Sequence, residues 1–236
     1  MRCATARSFD LDHASPCGRC QLGVSILVVT AVEAEADAIG VLDGVRVVAA
    51  GVGRTNAAVA TVLNIERHGP FRAVISAGLA GALPGSDLQI GDMLAADCCV
   101  YAEEGIDTPT GFQNMAELGF PLGDFHGNAV PCDAELVNAV RDVVPVHRIA
   151  TVATCSGTDE AAERIAARTG CAAEAMEGAA VVHAAKMLAV PAIEIRVISN
   201  TTGHRDRQVW DRPQALAMLR GVIQSILPRI EAREPA

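Results

Sequence analysis

An α/β fold, with a mostly parallel or mixed sheet between helix layers, is predicted by three features of this 236-residue chain. Short Val/Ile-rich runs alternate with helix-periodic stretches along most of its length. The runs are too apolar to leave one face in water, as expected of strands buried on both sides. Half of the residues are hydrophobic (50%), enough to fill the core that such a sandwich needs.

Residues 1–22 are polar and aperiodic, and are expected to be a disordered N-terminal extension or an upstream start artefact. That leaves 23–236 as one domain, with no repeat, low-complexity tract or internal linker. The run GVSILVVTAV gives a first strand at 24–30. It is about half the length of a bilayer span and argues for neither a membrane segment nor a targeting signal. Glu33 and Glu35 follow directly and open a helix near 33–42, where carboxylates suit the unpaired N–H groups of a first turn. A strand at 45–50 runs into GVGR (51–54), a glycine motif too short to assign to a nucleotide, and then into a helix over 54–67. The third strand, 72–77, ends in SAGLAG, Ser76 to Gly81, whose small residues suit either a tight turn or close approach of a ligand to the backbone. After a strand at 91–100 comes the longest stretch without clear structure, about 102–131; loops of this length in compact domains are usually functional. Helices near 133–142, 158–168 and 177–189 then alternate with strands at 148–154, 172–175 and 191–199, and a last helix covers 213–231.

Composition narrows the function. A net charge of −9 and an aromatic fraction of 3% argue against a nucleic-acid partner, which would show a basic face and stacking aromatics. The one lysine, Lys186, reads as a solvated position on an Ala-rich helix, so neither a phosphate-loop lysine nor Schiff-base chemistry is expected. Eight cysteines in a chain this long fit reduced thiols in a cytoplasmic protein. Cys17 and Cys20, in CGRC, have redox or half-zinc spacing. No second pair follows at ligand spacing, and they read as an incidental pair on the tail. The six histidines are scattered without ligand spacing, so no metal is expected, and His183 reads as a packed or capping residue.

Two strand ends stand out. In AAEAMEGAAVVHAA, Met176 and Glu177 sit where a strand gives way to a helix of small apolar residues. A carboxylate there must be paired, hydrogen-bonded or awaiting a ligand, and structural cap and ligand clamp both remain open. In EIRVISNTTGHRDR an apolar run stops on Ser199 and Asn200, at the edge where an open α/β sheet presents its chemistry. Taken alone, Asn200 reads equally as a turn asparagine bonding its own backbone.

AVEAEA, SAGLAG, AMEGAA and IRVISN, in this order and at these separations, resemble the purine nucleoside phosphorylase and nucleosidase superfamily over roughly residues 24–230. The resemblance implies a three-layer α/β/α sandwich with a mixed, partly barrel-like central sheet. It also implies a homo-oligomer (dimer or higher), cleavage of the N-glycosidic bond of a purine nucleoside, and no cofactor. Matched to the methylthioadenosine/S-adenosylhomocysteine nucleosidases, Glu35 falls on the water-activating glutamate, Glu177 on the ribose-binding glutamate and Met176 on the methionine beneath the sugar. SAGLAG would bring the backbone of Ala77 and Gly78 to the substrate.

Between water and phosphate as nucleophile, hydrolysis is favoured. Glu33 and Glu35 would repel a phosphate dianion but can hold a water, and Leu79 replaces a serine that the nucleosidases carry. Where adenine-specific members have aspartate this chain has Asn200, whose amide can donate to a 6-oxo group and accept from N7–H, a pattern suited to hypoxanthine or guanine. The strings EEGIDTPTGF, AMEGAA and SNTTGHRDRQVWD look like the futalosine hydrolase subfamily, which implies release of hypoxanthine from futalosine. Residues 103–112 would then cover the pocket, across a subunit boundary, with Phe112 against the substrate's 5′ tail or equally anchoring its own loop. Arg54, His126, Arg205 and Arg207 are unranked candidates for the carboxylate that ends that tail, and base-stacking contacts are expected around Thr151–Ser156. The alternatives are an adenine-type nucleosidase, a nucleoside phosphorylase and a non-catalytic purine-binding protein.

Overall fold

The computed structural model describes residues 25–232; the tail with Cys17 and Cys20 lies outside them. In chain order the elements are β1 (Ile26–Thr30), α1 (Glu33–Ile39), β2 (Val45–Ala49), α2 (Arg54–His68), β3 (Ala73–Ala82), β4 (Met93–Tyr101), β5 (Gly105–Thr108), β6 (Gly111–Asn114), β7 (Ala129–Pro131), α3 (Ala134–Val140), β8 (Val146–Thr151), α4 (Asp159–Thr169), β9 (Ala173–Ala175), α5 (Gly178–Met187), β10 (Ala192–Thr201) and α6 (Arg212–Glu231), with a short 3₁₀ turn at Arg205–Arg207 before the last. The helices begin where the sequence supplies caps. Asp133, Thr158 and Asp211 accept the N–H groups of Leu136, Ala161 and Gln214, each satisfying an orphan donor of a first turn.

Two expectations are corrected. SAGLAG is not the end of a strand but its second half: β3 runs on to Ala82, because continuous pairing with β10 along one edge outweighs the poor strand propensity of Gly and Ala. The stretch 102–131 is not structureless. It holds the antiparallel hairpin β5–β6 and the strand β7, which pairs with β4.

The sheet branches at β3. One edge of β3 pairs with β10 along almost its whole length. The other edge pairs with β1, in parallel, as far as Ser76, and with β9, antiparallel, from Gly81. β10 continues to β4, β4 to β8 and β8 to β9. Strands β3, β10, β4, β8 and β9 therefore close into a ring, and β1 and β2 extend from it as an open wing. Helices α1, α3 and α6 pack on one face and α2 and α5 on the other, which gives the three-layer sandwich. Buried Ile, Val, Leu and Ala side chains such as Ile26, Ile75, Ile193, Val181 and Leu219 fill the space between layers.

Where β3 leaves β1 and has not yet met β9, residues 77–80 have no strand on that edge. A gap of this kind exposes backbone polar groups that something else must satisfy. A cleft opens there.

Candidate active site

A cavity of about 500 Å³ lies over the gap, and Glu35, Glu177 and Asn200 all line it. Three segments far apart in sequence thus meet in one hollow at the carboxyl ends of β1, β9 and β10, the usual place for a ligand in a sheet whose strand order switches.

Glu35 is buried at the third position of α1. Its Oε2 accepts the N–H groups of Ala31, at 2.9 Å, and Val32, at 3.3 Å. Its Oε1 accepts the N–H of Leu79 at 2.9 Å. The side chain therefore caps its own helix, as a Glu at that position commonly does, and also bridges the gap in β3. Glu33, by contrast, is exposed.

Glu177 is buried at the start of α5. Its Oε1 accepts the Gly53 N–H at 3.0 Å, and its Oε2 pairs with Arg196 Nη2 at 3.3 Å. Met176 lines the cavity beside it. The helix can approach so closely because its first residue is Gly178, where a Cβ would fall 1.9 Å from Glu194.

Arg196 sits at the centre of the polar network and was not singled out in the sequence. It is 1% exposed. Nε donates to Glu194 at 2.8 Å, and the guanidinium also reaches the Leu79 carbonyl, the Ser76 hydroxyl and Glu177. Burial alone would lower its pKa, but the carboxylates Glu194, Glu177 and Glu35 raise it above the ordinary arginine value. It is a permanent positive charge that allows three acidic side chains to share one interior. An arginine between two apolar residues, two positions after a glutamate in a buried strand, is the sequence signal that could have found it.

Asn200 follows a bulge: β10 and β3 keep register through Ile198↔Ala80 and resume it at Asn200↔Gly81, so Ser199 is the extra residue. Bulges re-aim side chains beside active sites. The amide is oriented by its neighbours, Nδ2 donating to the Thr201 carbonyl at 2.8 Å and Oδ1 accepting from Ser199 Oγ at 2.8 Å. The bond to Thr201 is the local backbone contact that a turn asparagine makes, and the bond from Ser199 joins two side chains. The two bonds use one N–H and one lone pair, and an amide has two of each. One donor and one acceptor remain for a ligand.

The other sequence-derived candidates are dispersed. Ala77 and Gly78 do not line the cavity. Ala77 is 1% exposed within the core, and Gly78 is covered by Glu35 and Arg196, both within 2.6 Å of where its Cβ would be; the lining begins at Leu79. Phe112 does not reach the cavity within this chain. It lies 3.8 Å from the guanidinium of Arg168 and lines a separate hollow of about 710 Å³ with His126. Of the four candidate cations only Arg205 lines the main cavity, stacked 4.9 Å over Trp210. Arg54 pairs with Glu104 at 2.6 Å, and Arg207 pairs with Asp159. Thr151 is a buried cap that accepts the Ala179 N–H, whereas Cys155, Ser156 and Gly157 form part of the wall. His183 packs edge-on against Phe125 and contacts the Tyr101 hydroxyl. Trp210, Arg212 and Glu174 also line the cavity and were not anticipated.

The phosphorylase superfamily model matches residues 34–228. Similar curated proteins include futalosine hydrolase of Streptomyces coelicolor, 33% identical over 201 residues that cover 82% of this chain and 83% of that protein. Futalosine hydrolase of Acidothermus cellulolyticus is 37% identical over 221 residues, 84% of this chain and 88% of that one. Among solved structures, the 5′-methylthioadenosine/S-adenosylhomocysteine nucleosidase of Colwellia psychrerythraea in complex with adenine superposes with a TM-score of 0.74 at 20% identity, covering 91% of this chain and 98% of that chain.

Proposed function

The chain belongs to the phosphorylase superfamily, and from that premise we propose that it is a futalosine hydrolase, cleaving the N-glycosidic bond of futalosine with water to give dehypoxanthine futalosine and hypoxanthine. The observation that carries the reading is the convergence of Glu35, Glu177 and Asn200 on one cavity, supported by the two futalosine hydrolases that share about a third of their residues with it.

In this reading the ribose lies over Met176 and its hydroxyls take up the carboxylate of Glu177, which Arg196 holds in place. As the bond from the sugar to N9 lengthens, positive charge grows on the sugar, and the negative ends of Glu177 and Glu35 stabilise it. Glu35 orients a water and takes its proton as the oxygen bonds to the anomeric carbon. The base leaves with its electron pair and is protonated at N7, where the free lone pair of Asn200 receives the N–H while its free N–H meets the 6-oxo group. Asn200 cannot itself supply that proton, which must come from solvent. Trp210 and the cations Arg205 and Arg212 on the cavity wall suit the aryl carboxylate of the substrate's tail.

The α2–α5 face supports assembly into homo-oligomers. Val59 (52% exposed) and Met187 (77% exposed), with Val62 and Leu63, leave an apolar surface in water, and patches of this kind usually mark contacts between proteins.

Product chromatography tests the reading. Hypoxanthine should be released from futalosine in phosphate-free buffer, with methylthioadenosine a poor substrate. Turnover that appears only on adding phosphate would make the protein a phosphorylase, and preference for methylthioadenosine would make it an adenine-type nucleosidase.

A further inference from the structure

Opposite Asn200 the cavity presents a buried carboxyl group that none of the steps above employs. Glu174, in β9, is 5% exposed and lines the cavity. One residue holds both its oxygens: Oε1 accepts the Ser156 N–H at 2.8 Å, and Oε2 accepts the Ser156 hydroxyl at 2.6 Å. A carboxylate offers about four lone-pair positions, so these bonds leave capacity on the cavity side.

Register fixes its relation to Asn200. Gly81 pairs with Glu174 on one side and with Asn200 on the other. Residues paired in this way project from the same face of a sheet, and two strand spacings set their Cα atoms roughly 10 Å apart. Between them stands a residue without a side chain, at which a Cβ would come within 2.9 Å of Asn200 Nδ2. The result is a slot with an amide at one end and a carboxyl at the other, of a width that suits a flat bicyclic base.

We propose that Glu174 is a specificity-determining residue that accepts N1–H from the pyrimidine edge of a 6-oxopurine, while Asn200 reads the opposite edge. The assignment rests on the purine nucleoside hydrolase reading of the site. In a 6-oxopurine N1 carries hydrogen; in a 6-aminopurine it is a bare lone pair that a carboxylate oxygen repels. The Ser156 N–H, a backbone donor at this wall that could serve such a lone pair, is already taken by Glu174. Two ends of the slot therefore favour the same class of base. If Glu174 only fastened the 152–157 segment to β9, its chemistry would affect every ligand alike.

Calorimetric binding of hypoxanthine, adenine and 1-methylhypoxanthine, with futalosine turnover measured beside it, separates the possibilities. Wild-type protein should bind hypoxanthine at least about tenfold more tightly than 1-methylhypoxanthine, the scale of one hydrogen bond to a charged group; equal affinities overturn the proposal without any variant. Glu174→Gln keeps the shape but places an N–H where adenine N1 can accept it, and should lower the hypoxanthine-to-adenine affinity ratio by about tenfold or more. An unchanged ratio in Glu174→Gln, even with all affinities weakened, overturns the proposal in favour of a fastening role. If futalosine is not hydrolysed and no purine binds, the function proposed above fails and Glu174 falls with it. Hydrolysis with hypoxanthine release but no preference at N1 removes only Glu174.

Discussion

In the proposed mechanism Glu35 carries the chemistry most directly. Replacing it with Gln removes the charge that orients water while keeping the size, so kcat should fall on the order of 10²–10⁴-fold with hypoxanthine affinity largely kept; near wild-type turnover in a futalosine assay would refute the assignment. Glu174 supplies a pH signature. Burial raises its carboxyl above the ordinary value, with the Ser156 donors acting in the opposite direction. A carboxyl raised in the native state stabilises the fold fully below its unfolded value, about 4.3, and that contribution is lost as pH rises through the native value. Denaturant unfolding of wild type and Glu174→Gln from about pH 4 upward should show the wild type losing ground to the variant as pH increases; a constant difference would contradict this. Glu177 and Asn200 were legible because each closes an apolar run, where a polar group has to be explained, whereas Glu35 was told apart from its neighbour Glu33 only by the superfamily resemblance. Arg196 and Glu174 were not, because each lies inside a strand and acquires its meaning from partners more than a dozen residues away, Ser76 and Leu79 for the one and Ser156 for the other.

Among the elements, β3 decides where the site can form. Its glycines look like a turn in one dimension, and only the pairing with β10 on one side and with β1 and then β9 on the other shows them to be strand. Gly78 is the tightest point: a Cβ would meet Arg196 Nη1 and Glu35 Oε1, each at 2.6 Å, and neither can withdraw without giving up bonds to Leu79. Gly78→Ala should therefore destabilise by about 1–3 kcal/mol, as overpacking does, and should reduce kcat although the added methyl touches no substrate. Thermal unfolding together with steady-state kinetics checks both, and a variant with unchanged melting temperature and rate would show the contact to be relaxed. The hairpin β5–β6 was missed for a related reason. Its strands are short and its residues mostly exposed, so they lack the apolar alternation by which a strand announces itself.

At the scale of the whole molecule, the alternation of strands and helices predicts the layers, but not the closure of five strands into a ring. Closure depends on β10 and β9 each finding a second partner at a distance, and in the sequence it was available only through the superfamily resemblance. The apolar face of α2 and α5 was equally hidden, since helical periodicity marks Val59, Val62 and Met187 as buried without saying against what. Met187→Glu should shift the protein toward monomers in analytical ultracentrifugation while leaving the monomer folded by circular dichroism; an unchanged sedimentation coefficient would mean that copies meet elsewhere or not at all. The interruption in the edge of β3 has one more implication. Since the Leu79 amide finds its acceptor in Glu35 rather than in a neighbouring strand, the group proposed to handle the nucleophile is also a rivet of the scaffold. Drift at position 35 is thus penalised twice, in turnover and in folding, and a lineage that abandoned this reaction would have to rebuild the rivet before it could discard the acid.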